Sequence, residues 1–248
     1  MHTVFRFLRQ LLLTVLLLAL LALVAAGGYF AVTGHKLYER AIQVTPIDTL
    51  YSSISSREGF VPYAQLPQTY INAVISAEDS RFTHHKGVDP VSIARALVTD
   101  LRIGSFAEGG STITQQLAKN TLFTQEKHLA RKAAEMFAAL AIEKQYNKEQ
   151  IFEMYVNTIY FGSGHYGIGE AAQGYFGKTP LQLTDAEAVM LAGLPNAPSA
   201  YSPNSNPDLA VKRMQVVLNR MVGCKKLTRE QADALAAEAI TLQFLPAS

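Results

Sequence analysis

The sequence predicts a mainly α-helical protein, in which one soluble domain follows a single N-terminal membrane-spanning helix. The first observation behind this prediction is an uncharged apolar run from Leu11 to Val32. The second is that helix-start patterns and helically spaced apolar residues recur from Pro67 almost to the end of the chain. With 248 residues and 49% apolar content, the chain is long and apolar enough to bury a core.

Composition excludes a few classes of function. The net charge of +2 is too small to indicate a nucleic-acid partner, and we expect none. Cys224 is the single cysteine, so neither a disulfide framework nor a cysteine-rich metal site is expected.

The apolar run is long enough to cross a bilayer, since its 22 residues extend about 33 Å as a helix. A cleaved signal peptide is the alternative, because Val24-Ala25-Ala26 faintly resembles a cleavage site. The run continues beyond that point to Val32, which favours a retained anchor. Basic residues flank both ends: Arg6 and Arg9 precede the run, and His35, Lys36 and Arg40 follow it. Charge therefore does not decide the orientation.

Residues 33–64 are predicted to form a linker. Thr45-Pro46, the serine-rich stretch 52–56 and Glu58-Gly59 interrupt any helical period, so only short extended pieces are expected there. We therefore divide the chain into a tail (1–10), a membrane helix (11–32), a linker (33–64) and a domain (65–248).

Glu78 is the first candidate catalytic residue. Ile71, Val74, Ile75 and Glu78 are spaced i, i+3, i+4 and i+7, which places the carboxylate on the apolar stripe of a helix. Charged residues are seldom buried without a partner, and a desolvated carboxyl group is suited to proton transfer near neutral pH. The alternative is a partly buried Glu78 that pairs with Arg81.

A polar loop follows from Asp79 to Asp89. Asp89-Pro90 predicts the N-cap and the first position of the next helix. His84 and His85 are adjacent, so they cannot both bind one metal from a single helical face. We expect at least one of them to organise the loop through a hydrogen bond.

The stretch from Gly109 to Asn120 is the central candidate binding site. Ser111 or Thr112 can cap a helix there, and Thr112 with Gln115 has the spacing of a capping box. A helix start carries unpaired N–H groups and partial positive charge, which suits an anion such as phosphate. One turn further on, the side chains of Gln116, Lys119 and Asn120 add hydrogen-bond donors. The alternative is an ordinary capped helix with a solvated polar face.

A long helix is predicted from about Lys127 to Tyr146. Its core stripe is predicted to contain Ala133, Met136, Phe137, Leu140 and Ala141. The neighbouring face begins with Arg131, Lys132 and Glu135 and continues with Ala138, Ala139 and Ile142. A face that changes from charged to small and apolar indicates a cleft wall. The alternative is a surface Arg131–Glu135 pair, worth only about 0.3–0.5 kcal/mol.

Capping patterns predict the later helices. The starts are Asn147 with Gln150, Thr184 with Glu187, Asn206 with Pro207, and Thr228 with Gln231. The first three of these helices are expected to end at Gly162, before Pro195 and at Gly223. The glycine-rich segment from Gly162 to Gly169 matches no nucleotide-binding pattern.

Five motifs occur in order between about residue 65 and residue 205. The first is Glu78-Asp79 with Phe82, His85, Gly87 and Asp89, and the second is the stretch from Gly109 to Asn120. The third joins Arg131-Lys132 and Glu135 with Ile151, Tyr155, Asn157, Tyr160 and Gly162. The fourth contains Gly167-Ile168, Glu170, Ala171, Ala172 and Tyr175-Phe176-Gly177, and the last contains Leu191 to Pro195 with Ala197-Pro198-Ser199. Through these motifs the chain resembles the peptidoglycan glycosyltransferases, which are monofunctional membrane-anchored enzymes or the amino-terminal domains of class A penicillin-binding proteins.

The resemblance implies a lysozyme-like α fold and the polymerisation of lipid II into linear β-1,4 glycan strands. The reaction inverts the anomeric carbon and releases undecaprenyl diphosphate. By this resemblance Glu78 is the base that deprotonates the 4-hydroxyl of the acceptor sugar. Glu135, also catalytic, acts with Arg131 and Lys119 on the donor side, around the diphosphate. The other residues that the resemblance assigns to substrate binding are Ser111, Thr112, Gln115, Gln116, Asn120, Lys132, Asp79, Phe82 and His85.

The resemblance also implies a cofactor, partners and a location. The family commonly uses a divalent cation, Mg²⁺ or Mn²⁺, for which no ligands are predicted. The implied partners are lipid II, the growing glycan chain on its lipid diphosphate, the membrane, and other proteins of cell-wall synthesis and division. The implied location is the bacterial inner membrane, with a cytoplasmic tail and a periplasmic catalytic domain. Because the sequence ends at Ser248 without a Ser-x-x-Lys transpeptidase domain, the monofunctional form is expected.

Two other classes of function compete with this interpretation. A glycan-cleaving enzyme of lysozyme-like fold would use Glu78 as an acid, but a neutral glycan does not require the phosphate-suited stretch or the Arg131-Lys132 pair. A catalytically silent anchor that recruits cell-wall proteins would be expected to have lost motif residues, and each motif is intact here.

Overall fold

The computed structural model describes residues 2–103, 109–124 and 129–245, and the α class predicted from the sequence is confirmed. Within these ranges the only β pairing is a single bridge between Tyr160 and Tyr166. The helices are α1 (His2–Val44), α2 (Leu50–Ser55), α3 (Gln68–Glu78), α4 (Pro90–Ile103), α5 (Ile113–Leu122), α6 (Leu129–Gln145), α7 (Lys148–Val156), α8 (Ile168–Phe176), α9 (Asp185–Gly193), α10 (Pro198–Tyr201), α11 (Pro207–Gly223) and α12 (Arg229–Ala239).

Helix α1 joins the apolar N-terminal run to the domain without a break. Its segment Phe5–Val44 contains an 18-residue stretch with a mean hydropathy of 2.7 and is long and apolar enough to cross a membrane, as the sequence predicts. The C-terminal part packs against α6. A Cβ atom added to Gly34 would lie 2.5 Å from the Cβ of Ala133, so the two helix backbones approach closely. The rings of His35 and Tyr38 lie 5.1 and 6.3 Å from the ring of Phe137.

The expectation of short extended pieces between residues 33 and 64 is wrong. Residues up to Val44 continue α1, and α2 runs through the serine-rich stretch. The serines close helical turns, because the hydroxyls of Ser52 and Ser53 each donate 2.9 Å hydrogen bonds to carbonyls three residues earlier. Leu50 and Ile54 of α2 are buried in the core. The domain boundaries assigned from the sequence stay a prediction.

The core forms where α3 packs against α9 and α11, and where α5 packs against α6 and α7. Its largest fully buried side chains are aromatic: Tyr70, Phe152, Tyr155, Phe161 and Tyr175. This packing brings the C-terminal end of α3, the start of α5, the first turns of α6 and one face of α11 to the same part of the molecule. The candidate site residues lie on these elements.

The predicted core stripe of α6 is wrong. The buried side chains of α6 are Ala130, Ala134, Glu135, Ala138, Ala139 and Ile142, which include most of the face predicted as a cleft wall. Of the stripe predicted as core, Ala133 and Phe137 contact α1, and Leu140 is 42% exposed. Helix α6 lies between α1 and the core, so both of its faces are apolar and the sequence pattern does not distinguish them. The predicted start near Lys127 lies outside the described residues.

The helix starts predicted from capping patterns are confirmed. Capping boxes join Thr112 with Gln115, Asn147 with Gln150, Thr184 with Glu187, and Thr228 with Gln231. The predicted extension of α7 to Gly162 is wrong, because α7 ends at Val156. There the side chain of Asn157 bonds both the N–H and the carbonyl of Val61 at 2.8 and 2.9 Å, and the chain then turns into the Tyr160–Tyr166 bridge.

Candidate active site

Glu78 is the last residue of α3, and its side chain is only 10% exposed. Its Oε2 accepts a 2.8 Å hydrogen bond from Gln116 Nε2, and Arg213 Nη2 lies 3.7 Å from Oε1. Oε1 is buried without a hydrogen-bond donor in the described part of the chain. The alternative in which Glu78 pairs with Arg81 is wrong, because the Arg81 Nε bonds Asp89 at 3.0 Å. Glu78 therefore has one oxygen held by a hydrogen bond and one that lies beside the Arg213 guanidinium without a hydrogen-bond donor among the described residues.

Two cavities meet at Glu78. The first, of about 290 Å³, is also lined by Ser76, Arg95, Ser111, Arg220 and Cys224. The second, of about 270 Å³, is lined by Glu78, Ser111, Gln116, Lys119, Arg213 and Arg220. Glu78, Ser111 and Arg220 belong to both walls. A carboxylate on a shared wall is suited to a reaction in which two bound molecules meet.

Glu135 forms a buried charge cluster beside the second cavity. Its carboxylate is 2% exposed, with Lys132 Nζ 2.9 Å from Oε2 and Arg131 Nε 3.1 Å from Oε1. The Arg131 contact is an ion pair without hydrogen-bond alignment. Lys132 Nζ also donates a 2.5 Å hydrogen bond to Ser111 Oγ, which connects the cluster to the cavity wall. The alternative of a surface Arg131–Glu135 pair is wrong, because Glu135 is buried.

Lys119 lies within the electrostatic field of both carboxylates. Burial lowers the pKa of Lys119, the charge of Glu135 opposes this effect, and the neighbouring charges of Lys132 and Arg131 lower it further. Glu78 acts in the same direction as Glu135. A partly desolvated ammonium group in the wall of an open cavity is a site for an anion, because the attraction between charges is stronger in a low-dielectric environment.

Three residues predicted to bind substrate, Asp79, His85 and Thr112, form hydrogen bonds that hold the site together, and Asp79 and Thr112 also line the first cavity. Asp79 Oδ2 accepts hydrogen bonds from His85 Nε2 at 2.9 Å and from the Ile113 N–H at 3.0 Å. His85 Nδ1 accepts from the Gly87 N–H, and Thr112 Oγ1 donates to the Gly87 carbonyl at 2.6 Å. The expected role of a histidine in organising the loop is confirmed, and this network fixes the loop against the start of α5.

The other residues singled out from the sequence around the site lie in different environments. Phe82 and Gln115 are buried and line neither cavity, and Asn120 is exposed and lines neither. Asp89 is confirmed as a helix N-cap, since its carboxylate accepts from the Val91 N–H and the Ser92 hydroxyl. The assignment of Phe82, Gln115 and Asn120 to substrate binding stays a prediction.

Sequence reasoning missed two arginines on α11. Arg213 and Arg220 are seven residues apart, so they share one face of the helix. Arg220 Nη1 donates a 2.7 Å hydrogen bond to the carbonyl of Ala77, next to Glu78, and Arg213 Nε donates to the carbonyl of Gly193 at 3.2 Å. The sequence pattern that could have identified them is a pair of basic residues beside the apolar stripe of α11.

No group of three His, Cys, Asp or Glu side chains that could hold an ion occurs in the described ranges. Glu135 is already neutralised by Arg131 and Lys132. The divalent cation expected from the resemblance stays a prediction.

Fold and site together define a helical enzyme domain with a mostly buried carboxylate between two cavities, one of them rich in cations. A family model described as transglycosylase matches residues 45–222. The chain belongs to the transglycosylase family, as the resemblance predicts, which places it among the peptidoglycan glycosyltransferases.

Known relatives agree with this membership. The chain is 44% identical to penicillin-binding protein 1A of Aquifex aeolicus over 195 residues, which cover 78% of the chain and 27% of the relative. It is 47% identical to penicillin-binding protein 1A of Escherichia coli over 180 residues, or 73% of the chain and 21% of the relative. The chain thus spans about a quarter of the length of these relatives. A crystal structure of penicillin-binding protein 1A from Haemophilus influenzae is similar with a TM-score of 0.46 and 25% identity, over 76% of the chain and 18% of that protein.

Proposed function

We propose that the chain polymerises lipid II into β-1,4-linked glycan, with Glu78 as the general base. The observation that carries this proposal is the position of Glu78 on the shared wall of two cavities, with Oε2 held by Gln116 and Oε1 without a donor. A general base must be able to reach the proton that it removes, and an oxygen that already accepted hydrogen bonds would be less able to do so.

In the proposed step, the 4-hydroxyl of the acceptor's N-acetylglucosamine gives its proton to the carboxylate of Glu78. The hydroxyl oxygen attacks the anomeric carbon of the donor, and the bond from that carbon to the diphosphate breaks. The bonding electrons leave with the lipid diphosphate, and attack from the opposite side inverts the anomeric carbon. Charge develops on the leaving diphosphate, so cations on the donor side lower the barrier.

The donor site is proposed at the second cavity. Lys119, Arg213 and Arg220 line it, and the Glu135 cluster connects to it through Ser111. Glu135 has a supporting role in this account: its buried charge orients Lys132 and favours the protonated form of Lys119. The acceptor is then placed in the first cavity, where the lining includes more hydroxyl groups, such as Ser76 and Ser92.

We further propose that α1 is a retained anchor in the bacterial inner membrane and that the domain lies on the periplasmic side. The close contact of Gly34 with Ala133 and the rings packed on Phe137 support retention, because the end of α1 forms part of the domain surface. Both substrates are lipid-linked, so a tethered domain meets them at a high local concentration.

Labelled lipid II incubated with the full chain in detergent or liposomes tests the proposal. Electrophoresis of the products should show glycan strands longer than the disaccharide unit, and released undecaprenyl diphosphate in equal measure to the bonds formed. Preformed glycan strands serve as the matched substrate for the competing activity, which is glycan cleavage. Shortened strands without any lengthening of lipid II would contradict the proposal and favour a glycan-cleaving enzyme.

A further inference from the structure

We propose that Tyr155 is a positioning residue, which orients the Gln116 amide so that its N–H faces Glu78. The inference rests on the proposed function, since it concerns the base assigned there. It adds a buried residue on α7 that contacts neither cavity and has no role in the step described above.

Three side chains from three helices form a short chain of contacts. Tyr155 Oη lies 3.4 Å from Gln116 Oε1, and Gln116 Nε2 lies 2.8 Å from Glu78 Oε2. A carboxamide has an oxygen at one end and an NH₂ group at the other. If the tyrosine hydroxyl donates to the oxygen, the NH₂ group is directed toward the carboxylate.

The hydroxyl of Tyr155 remains a donor over the range in which the enzyme works. Tyr155 is fully buried, and desolvation raises the pKa of its phenol well above the ordinary value, with a further contribution from the charge of Glu78. The phenol therefore keeps its proton. Gln116 Oε1 is also the hydrogen-bond partner that the structure gives to this hydroxyl within the described residues. Buried hydroxyl groups usually have such a partner.

Orientation of the amide matters because its two ends have opposite effects on Glu78. An N–H donor favours the ionised carboxylate that a base requires, whereas a carbonyl oxygen in the same place favours the protonated acid. The other groups that face Glu78 are Arg213 and Arg220 from α11, Lys119 from α5 and the buried phenol of Tyr70 on α3. None of these bonds the side-chain amide of Gln116 in the described structure, so its contacts there are Glu78 at the nitrogen and Tyr155 at the oxygen.

Replacement of Tyr155 by Phe removes the hydroxyl and keeps the ring. The amide can then turn its oxygen toward Glu78 in part of the molecules. We expect kcat to fall about three- to tenfold, as for the loss of one intramolecular hydrogen bond. The acid limb of the kcat profile should move to higher pH, because protonated Glu78 becomes more favourable, and KM should change less than twofold.

Tyr175→Phe provides a matched control. Tyr175 is equally buried, and its hydroxyl donates a 3.0 Å hydrogen bond to the carbonyl of Phe161, away from both cavities. Tyr175→Phe, like Tyr155→Phe, removes the phenol oxygen from a fully buried ring. Its pH profile should match that of the unaltered chain, even if its melting temperature falls.

The decisive experiment is a double-mutant cycle in the full chain, with lipid II polymerisation measured from pH 5 to pH 9. Tyr155→Phe should lower kcat in the unaltered chain and have no further effect beside Gln116→Ala, because Tyr155 acts through Gln116. Gln116→Ala alone should move the acid limb in the same direction, which keeps the inference testable if Tyr155→Phe folds poorly. An unchanged profile in either single variant, or additive effects in the double variant, would overturn it.

Glu78→Gln, measured in parallel, distinguishes a failure of the inference about Tyr155 from a failure of the proposed function. If Glu78→Gln is inactive and Tyr155→Phe behaves as the unaltered chain, the inference about Tyr155 fails and the proposed base stands. If Glu78→Gln retains full activity, the proposed function fails first.

Discussion

Lys119 provides a quantitative test of the donor site. We expect Lys119→Ala to lower kcat/KM by about 2–4 kcal/mol of transition-state stabilisation, or roughly 30- to 1,000-fold. The size follows from its position: the ammonium is partly desolvated in the wall of the second cavity, where one charge pair at 4 Å contributes about 4 kcal/mol at an effective dielectric constant near 20. Because the leaving diphosphate gains charge as its bond breaks, kcat should fall more than acceptor affinity.

The dependence of activity on pH provides a second, independent test of the role of Lys119. Burial lowers the pKa of Lys119 below the ordinary lysine value of 10.5, so its positive charge is lost at a lower pH than on an exposed lysine. Activity should therefore fall on the alkaline side, and Lys119→Arg should move that limb to higher pH, since arginine stays charged.

A continuous assay of polymerisation with fluorescent lipid II, at saturating and limiting substrate, measures both effects. Lys144→Ala is the control, because Lys144 is an exposed lysine in the last turn of α6, outside both cavities. Activity of Lys119→Ala within twofold of the unaltered chain would refute the assignment of the second cavity to the diphosphate.

Three further predictions concern the framework of the site. Asp89→Ala should cost about 1–2 kcal/mol in thermal or chemical denaturation, as for loss of an N-cap. Burial alone would raise the pKa of Asp89, but hydrogen bonds from Ser92 and Val91 and the charge of Arg81 lower it, so its contribution is complete above about pH 3.8 and is lost as the pH falls through the folded-state value. A stability difference that persists unchanged at pH 2 would contradict this assignment. Gly87→Ala should lower the free energy of unfolding by about 1–3 kcal/mol, because Gly87 has φ +96° and a Cβ there would lie 2.7 Å from the Ala139 carbonyl oxygen. An unchanged melting temperature would rule out that strain. Removal of residues 1–32 should leave the domain's stability unchanged, whereas removal of residues 1–44 should lower it. The reason is that only the second truncation uncovers the face of α6 that packs against α1. Equal stability of the two truncated chains would mean that this contact does not stabilise the domain.

Helix starts could be predicted from the sequence because their causes are local. A cap such as Thr112 with Gln115 depends on two side chains three residues apart and on the backbone between them. The position of Glu78 on a mostly buried face follows from a spacing on one helix in the same way. These features need no knowledge of what packs against them.

Features that depend on distant partners were not predictable in this way. The two apolar faces of α6 look alike in sequence, and which one meets the core is decided by where α1 packs. The contact of Arg220 with Ala77 joins residues 143 positions apart, and no local pattern marks it. The buried hydrogen bonds of Asp79 to His85 and to the start of α5 likewise join distant residues, and the assignment of Asp79 and His85 to substrate binding stays a prediction.

The measurement that tests the central claim most directly compares the full chain with Glu78→Gln on labelled lipid II. Glutamine nearly matches the shape of glutamate but cannot take the proton of the acceptor hydroxyl, so polymerisation should fall to the background level while lipid II binding and the melting temperature stay close to those of the unaltered chain. Polymerisation above a few per cent, with an unchanged pH profile, would contradict the assignment of Glu78 as the base.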